Sequence, residues 1–304
     1  MHIPNGFLTD PVCTVSTLTS AAALGAGIVR MRQSDTSCSS VLMAATGAGI
    51  FAAQMVNFPI GHGTSGHVLG AAVAAIALGP WCGMLTMAVV ISAQCMLFGD
   101  GGTSALGANI LNMAVVGTLV ASGLYTVATR AIGGTKGKLI GTALAACGSV
   151  LAAAGLCSVE LAASGTYAFA DVLGAMTSVH ALIGVSEALI SVAIMAAALS
   201  VGSAKRPLSS RQLMFGGLAA AVAIAGLLAP LASNSPDGLE RVAADLGFAN
   251  LASENPWSVA PDYQTPGIVW PALAVALSGL AGVFAVFATT YTLNRTATAK
   301  VPKR

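Results

Sequence analysis

Charge is scarce in this chain. Asp, Glu, Lys and Arg make up 8% of its 304 residues and aromatic residues 5%, whereas hydrophobic residues reach 56% and the mean hydropathy is +0.82. A soluble domain carries roughly 25% charged residues, so a soluble enzyme or binding module is excluded. The polar alternation that marks a membrane β-barrel is also lacking. No C-x-x-C pair occurs among Cys13, Cys38, Cys82, Cys95, Cys147 and Cys157. Most of them lie in apolar runs, which fits small packing residues better than disulfides or a soft-metal site. No G-x-x-x-x-G-K-[ST] loop is present: in the run before Leu139, Ile132 stands where the first glycine belongs. The chain therefore has no phosphate cradle of its own. There is no H-E-x-x-H, and Asp100 has no second mid-membrane aspartate with which to share a proton. An intramembrane hydrolase, the alternative from a different functional class, finds no catalytic residues here.

What is present is a series of long apolar runs rich in Ala, Gly and Ser, the composition of closely approaching membrane helices. They read as nine segments, at 11–29, 40–58, 67–79, 82–98, 105–129, 139–159, 172–202, 212–232 and 267–293. Lys and Arg cluster at Arg30/Arg32, Arg130/Lys136/Lys138, Lys205/Arg206/Arg211 and Arg295/Lys300/Lys303/Arg304. The positive-inside rule puts all four clusters in the cytoplasm. That requires an even number of crossings between Phe58 and the segment ending at Arg130, so 67–98 is expected to be two short crossings broken at Gly79-Pro80. The expected fold is an all-α polytopic bundle of about nine transmembrane helices, N-terminus out and C-terminus in, multi-pass in a bacterial cytoplasmic membrane. The basic clusters are topological anchors, which excludes a nucleic-acid partner. The basic link at 203–211 divides the chain into residues 1–205, with seven helices, and residues 206–304, with two helices joined by an outer loop at 233–266. Within that loop, L-x-x-V-A-x-x-L-G at 239–247 predicts a short helix ended by Gly247, with Asp237 near its start.

This topology gathers three of the four histidines, His2, His62 and His67, on the outer face. If Met1 is retained, its free amine and the His2 backbone nitrogen chelate a metal in a five-membered ring, and His2 Nδ1 closes a six-membered ring with that same nitrogen. Three nitrogens then share a plane, the preference of Ni(II) or Cu(II). Either His67 or His62 could fill the fourth corner, since neutral imidazole is the commonest metal ligand. Each histidine alone reads equally well as a solvated or interfacial side chain. His180 and Glu187 share one helix face in mid-crossing, either as a structural polar clamp or as part of a metal or proton pathway. Asn109 and Asn112 could orient ligands from behind or simply pack helices.

MHIPNGFL, FPIGHGTSGHVLGAAVAAIALGPW and FGDGGTSALGANILNMAVVG together closely resemble the substrate-binding membrane subunit of energy-coupling-factor nickel/cobalt transporters, the NikM/CbiM family. The resemblance covers residues 1–205, and SPDGLERVAADLGF with its flanking helices resembles the accessory N subunit, or PDGLE domain. The resemblance implies metal ligation by the Met1 amine, His2 and His67, with Pro59-Ile60-Gly61-His62-Gly63-Thr64 departing from the commoner P-x-P-G-G-T and leaving His62 an extra ligand or a turn residue. It implies that nickel is the transported ion, with cobalt the alternative, and that no cofactor is bound. The implied partners are a transmembrane coupling subunit, cytoplasmic ATPase subunits and membrane lipid. The small-residue run at 20–27 offers the coupling subunit a close-approach face. A metal sensor or scaffold would differ only in failing to accumulate metal in vesicles that contain those partners.

Overall fold

Continuous apolar sequence produces long helices wherever Gly and Pro do not interrupt it. The computed structural model describes residues 1–33, 38–202 and 210–298. The basic residues Lys205, Arg206, Lys300, Lys303 and Arg304, and the boundary placed at 205/206, lie outside these. Seven of the described helices are long and apolar enough to cross a membrane: α1 (Asp10–Gln33), α3 (Ala71–Phe98), α4 (Leu106–Ile132), α5 (Gly134–Ala163), α6 (Phe169–Gly202), α7 (Met214–Leu231) and α9 (Pro271–Thr298). The shorter α2 (Ser40–Gln54) and the outer-loop helix α8 (Gly238–Leu246) complete the set. One antiparallel hairpin joins β1 (Phe58–Gly61) to β2 (Thr64–Gly66). The chain is an all-α polytopic membrane protein.

The expected break within 67–98 is present at Gly79-Pro80, but the first of the two arms is shorter than a helical crossing. α3 is broken at Gly79, whose φ of 77° and ψ of 168° no helix accommodates, and the chain folds back there. A Cβ on Gly83 would lie 2.9 Å from the Ala74 backbone, a proximity that a continuous helix forbids over nine residues. The inward arm, Ala71–Leu78, therefore rises only about 12 Å, short of the ~30 Å hydrocarbon core. It runs beside α2: Gln54 Nε2 donates to Leu69 O at 2.6 Å near one end, and Cys38 Sγ to Leu78 O at 3.7 Å near the other. His67 does not open a helix. Residues 64–66 are strand, and α3 begins four residues after His67, behind an N-cap Gly70 with φ 80°.

Hydrogen bonds mark the two ends of the bundle. At one, Arg32 Nε donates to Ala297 O at 2.6 Å and Asn294 Nδ2 to Cys38 O at 2.8 Å. This is the end that carries Arg30 and Arg32, the one the positive-inside rule expects to face the cytoplasm. At the other end Thr9 meets Ser164, Asn57 meets Ser233, and Ser65 meets Ser235 and Pro236. Small residues let the helices close: a Cβ on Gly282 of α9 would collide with the Phe51 ring of α2, and one on Gly184 of α6 would sit 3.3 Å from Cys147 Cα of α5. α7 and α9 pack on α2, so the last helices and the first share one core. The six cysteines are free thiols.

Candidate metal centre

The first eight residues turn back into the bundle mouth, and apart from the half-buried Pro4 and exposed Gly6 they are buried there: Ile3 is 0% exposed, Phe7 3%, Met1 7% and His2 8%. The glycine-rich run at 99–104 is their bed. A Cβ on Gly102 would collide with the backbone of Pro4 and Asn5, and one on Gly101, at φ +87°, would lie 3.2 Å from His2 Cβ. Gly102 N donates to Ile3 O at 2.8 Å, and Ser104 N to Asn5 Oδ1 at 2.9 Å. From the other side the outer loop clamps the segment, with Ser253 N donating to Asn5 O at 3.0 Å and Phe248 packed edge-on against Phe7 at 5.1 Å.

Asn109 completes the clamp. Its Oδ1 accepts from Ile3 N at 2.8 Å and its Nδ2 donates to Ile3 O at 3.1 Å, so a side chain on α4 fixes the backbone one residue after His2. Asn112, three residues on, faces elsewhere: its Nδ2 donates to Glu160 Oε2 at 2.6 Å, and Ser16 donates to the other oxygen at 2.8 Å. That network ties α1, α4 and α5 together away from the histidines.

His2 and His67 meet as stacked rings, centroids 5.4 Å apart and planes 24° from parallel. His2 Nδ1 lies 3.1 Å from Asp100 Oδ1, and Nε2 lies 3.1 Å from Gln94 Oε1. His67 Nδ1 is 2.9 Å from Val68 O, an oxygen that can only accept, so Nδ1 carries the proton and Nε2 presents a lone pair. The Met1 amine forms a 2.6 Å ion pair with Asp237 Oδ2. Asp237 also caps α8, accepting at Oδ1 from Leu239 N and Glu240 N at 2.9 Å, while Glu240 returns the capping-box bond.

Burial and charge set the protonation here. Burial pushes the amine down, but Asp237 beside it, with Asp100 farther off, holds it above its ordinary range. Burial pushes the Asp237 carboxyl up, yet the charged amine beside it outweighs that and holds the group well below the usual carboxylate range. Burial lowers His2. His67, in the connection ahead of α3, falls to about 4 through burial first, then the positive charge of the amine. Both rings are therefore neutral near pH 7, the form that ligates metals.

A cavity of about 510 Å³ opens above these groups, lined by His2, His67, Asp100, Asp237, Glu240 and Asp262 among others, with no Lys or Arg on its wall. Such an acidic mouth concentrates cations. The other sequence candidates lie apart. His62 is at the exposed hairpin tip with φ 51°, its backbone bent by the turn. Glu187 is 1% exposed and accepts from Leu69 N at 2.6 Å and Gly70 N at 2.8 Å, so it anchors the start of α3 and is not bonded to His180. His180 lines the same small chamber as Met1 and His67. Sequence reasoning missed Gln94 and read Asp237 only as a helix start. The first was hidden inside an apolar run, and the second reaches Met1 across 236 positions. No group of three or more His, Cys, Asp or Glu side chains arranged for a metal occurs among the described residues; the site's other donor is the terminal amine.

Known proteins resemble this chain along most of its length. The family model described as the cobalt uptake substrate-specific transmembrane region matches residues 2–205, and that of the PDGLE domain matches residues 211–298. A protein of Archaeoglobus fulgidus, provisionally named as a fused nickel transport protein, is 36% identical over 97% of this chain and 98% of its own length. The fused nickel transport protein of Rhodobacter capsulatus is 39% identical over 58% of this chain and 50% of its own. The cobalt transport protein of Salmonella typhimurium is 35% identical over 43% of this chain and 54% of its own. A crystal structure described as a transition metal transporter superposes with a TM-score of 0.61 at 28% identity, covering 67% of this chain and 95% of that one. The helical bundle, the buried N-terminal segment and these matches make the chain a multi-pass membrane protein belonging to the cobalt uptake substrate-specific transmembrane family, with a PDGLE domain behind it.

Proposed function

We propose that this protein captures Ni²⁺ at the outer face and serves as the substrate-binding component of an energy-coupling-factor transporter, with the Met1 amine, the His2 backbone nitrogen and imidazole, and His67 as ligands. The observation that carries the reading is that Met1 and His67 line one small buried chamber while the buried His2 ring stacks on His67 with centroids 5.4 Å apart. A free amine one residue before a histidine forms two fused chelate rings, and a planar nitrogen set favours Ni²⁺ over ions that prefer oxygen. The carboxylates of the mouth would draw the hydrated cation in. Asn109 would hold the chelating backbone in place. Co²⁺ is the second reading, favoured by the cobalt transport proteins among the relatives.

Under this reading residues 1–205 form the metal-binding unit and 206–304 the accessory unit. Energy comes from partner ATPase subunits through a transmembrane coupling subunit, because the sequence carries no phosphate-binding loop. The test is direct. One residue added ahead of Met1 moves the amine by up to ~3.8 Å out of its chamber and should abolish high-affinity Ni²⁺ binding to the purified full chain. Intact mass of the unextended chain verifies that Met1 is present. Unchanged binding by the extended chain would sink the assignment.

A further inference from the structure

The geometry points to Gln94 as the positioning residue of the metal centre: its side-chain carbonyl takes the Nε2 proton of His2 and so leaves Nδ1 bare for the ion. The inference rests on the ligand set proposed above. It adds no ligand to that set and names the group that keeps one member in its binding form.

Gln94 opens a widened π-helical turn, Gln94–Phe98, at the end of α3, an irregularity that recurs at functional sites. Its side chain is 0% exposed. Its Oε1 lies 3.1 Å from His2 Nε2, while its own Nε2 has no hydrogen-bond partner. A buried amide left half satisfied is a poor packing residue, and such atoms are rare enough in folded proteins to need a reason. The contact with His2 supplies one. An amide carbonyl only accepts, so a His2 ring bonded to it carries its proton on Nε2. The amide turned the other way would set its NH₂ against that N–H and would serve only a ring protonated on Nδ1.

That second tautomer has a partner of its own. His2 Nδ1 lies 3.1 Å from Asp100 Oδ1, so the ring sits between two acceptors, and a neutral imidazole holds one proton for both. The chelate decides between them. Its six-membered ring closes through Nδ1, so an ion held there needs that lone pair and leaves the proton on Nε2, where Gln94 Oε1 receives it. Asp100 then gives up the ring without being stranded, since its Oδ2 accepts from the Tyr263 hydroxyl at 2.7 Å.

The backbone joins the two acceptors. Asp100 N donates to Gln94 O at 3.1 Å, so one short stretch of chain holds both oxygens that flank His2. His67 is fixed differently, by Val68 O at its Nδ1. The two proposed imidazole ligands therefore present opposite ring nitrogens, and only the acceptor of His2 is a side chain. A ligating histidine commonly donates its other N–H to such an acceptor, which sets the tautomer and the ring orientation.

The experiment is Ni²⁺ titration of the full chain in detergent for wild type, Gln94→Met and Gln94→Glu, with a melt of each in the absence of metal. Methionine keeps the length and removes the acceptor. Glutamate keeps an acceptor oxygen and removes the NH₂. Gln94→Met should bind Ni²⁺ about 10- to 100-fold more weakly, the range seen when a partner of a metal-binding histidine is lost. Its metal-free melting temperature should stay at the wild-type value, because metal-free His2 still has Asp100. Gln94→Glu should recover most of the affinity. Wild-type affinity in Gln94→Met overturns the proposal. So does an equal loss in two folded variants, or a loss in Gln94→Met matched by a fall in its metal-free melting temperature, the marks of a packing role. A spectroscopic readout is independent of the rescue. Planar Ni²⁺ is diamagnetic, so with histidine labelled by heavy nitrogen the His2 Nε2–H of the loaded chain is visible by magnetic resonance. It should resonate as a hydrogen-bonded N–H in wild type and leave that position in Gln94→Met; an unchanged resonance overturns the proposal. Failure of the parent reading looks different: the chain extended ahead of Met1 would then bind Ni²⁺ as tightly as wild type. Loss of binding in the extended chain combined with wild-type affinity in Gln94→Met overturns the role of Gln94 alone.

Discussion

Asn109 and Asn112 sit three residues apart on α4, and the structure assigns them opposite consequences. Asn109→Ala removes both bonds to Ile3. Ile3 O keeps Gly102 N at 2.8 Å, so only the Ile3 N–H loses its acceptor. One buried donor left unsatisfied costs about 1–3 kcal/mol. Ile3 follows His2, the proposed chelating residue, directly, so this penalty falls on the docked form of the N-terminal segment, the form proposed to bind metal. Converted to an equilibrium, it weakens Ni²⁺ binding by roughly 5- to 150-fold. Asn112→Ala instead leaves the Glu160 carboxylate with Ser16 as its remaining partner. That should lower thermal stability while leaving metal affinity within about twofold, because additivity holds for sites that share no partner. Isothermal titration with Ni²⁺ and thermal melts of the two variants decide the matter. Equal affinity losses in both, or wild-type affinity in Asn109→Ala, would refute the claim that Asn109 positions the metal-binding backbone.

Three further outcomes are expected. His67→Ala should lose most Ni²⁺ affinity in the same titration, whereas His62→Ala should leave it unchanged, because His62 lies at the exposed hairpin tip. Acidification should weaken binding by at least about tenfold per pH unit below the amine's titration range. Asp237 holds that amine above its ordinary value, so a proton must still be displaced at neutral pH, and affinity should keep rising as pH increases from about 6 to 8; titrations across that range give the slope, and a flat profile would count against the amine as a ligand. Gly101→Ala places a methyl 2.8 Å from Asn109 Nδ2 at a backbone φ of +87°. It should destabilise the protein by about 1 kcal/mol or more and loosen Ni²⁺ binding, read from melts with and without the ion.

The membrane class was legible in the sequence because it rests on a one-dimensional signal: runs of apolar residues long enough to cross. The capped helix α8 was legible too, since Asp237, Glu240 and Gly247 act on their own neighbours. The break at Gly79-Pro80 was visible as an interruption. That the inward arm has only eight helical residues was not, because Glu187 of α6 takes the N–H groups of Leu69 and Gly70 and delays the start of α3.

For the metal centre, local chemistry singled out Met1 and His2, since chelation between adjacent residues needs no fold. It left His62 and His67 both open as the fourth ligand, and the family resemblance pointed to His67. The tertiary structure sets them apart physically, turning His62 outward on a hairpin and stacking His67 on His2. The same limit explains Asp237 and Gln94. One is an ordinary cap and the other an ordinary amide in its own segment. Their roles come from distances across 236 positions between Met1 and Asp237 and 92 between His2 and Gln94. Sequence patterns carry the constraints of neighbours along the chain and of the bilayer. The partners of a buried polar atom are chosen by packing, and packing exists only once the bundle has closed.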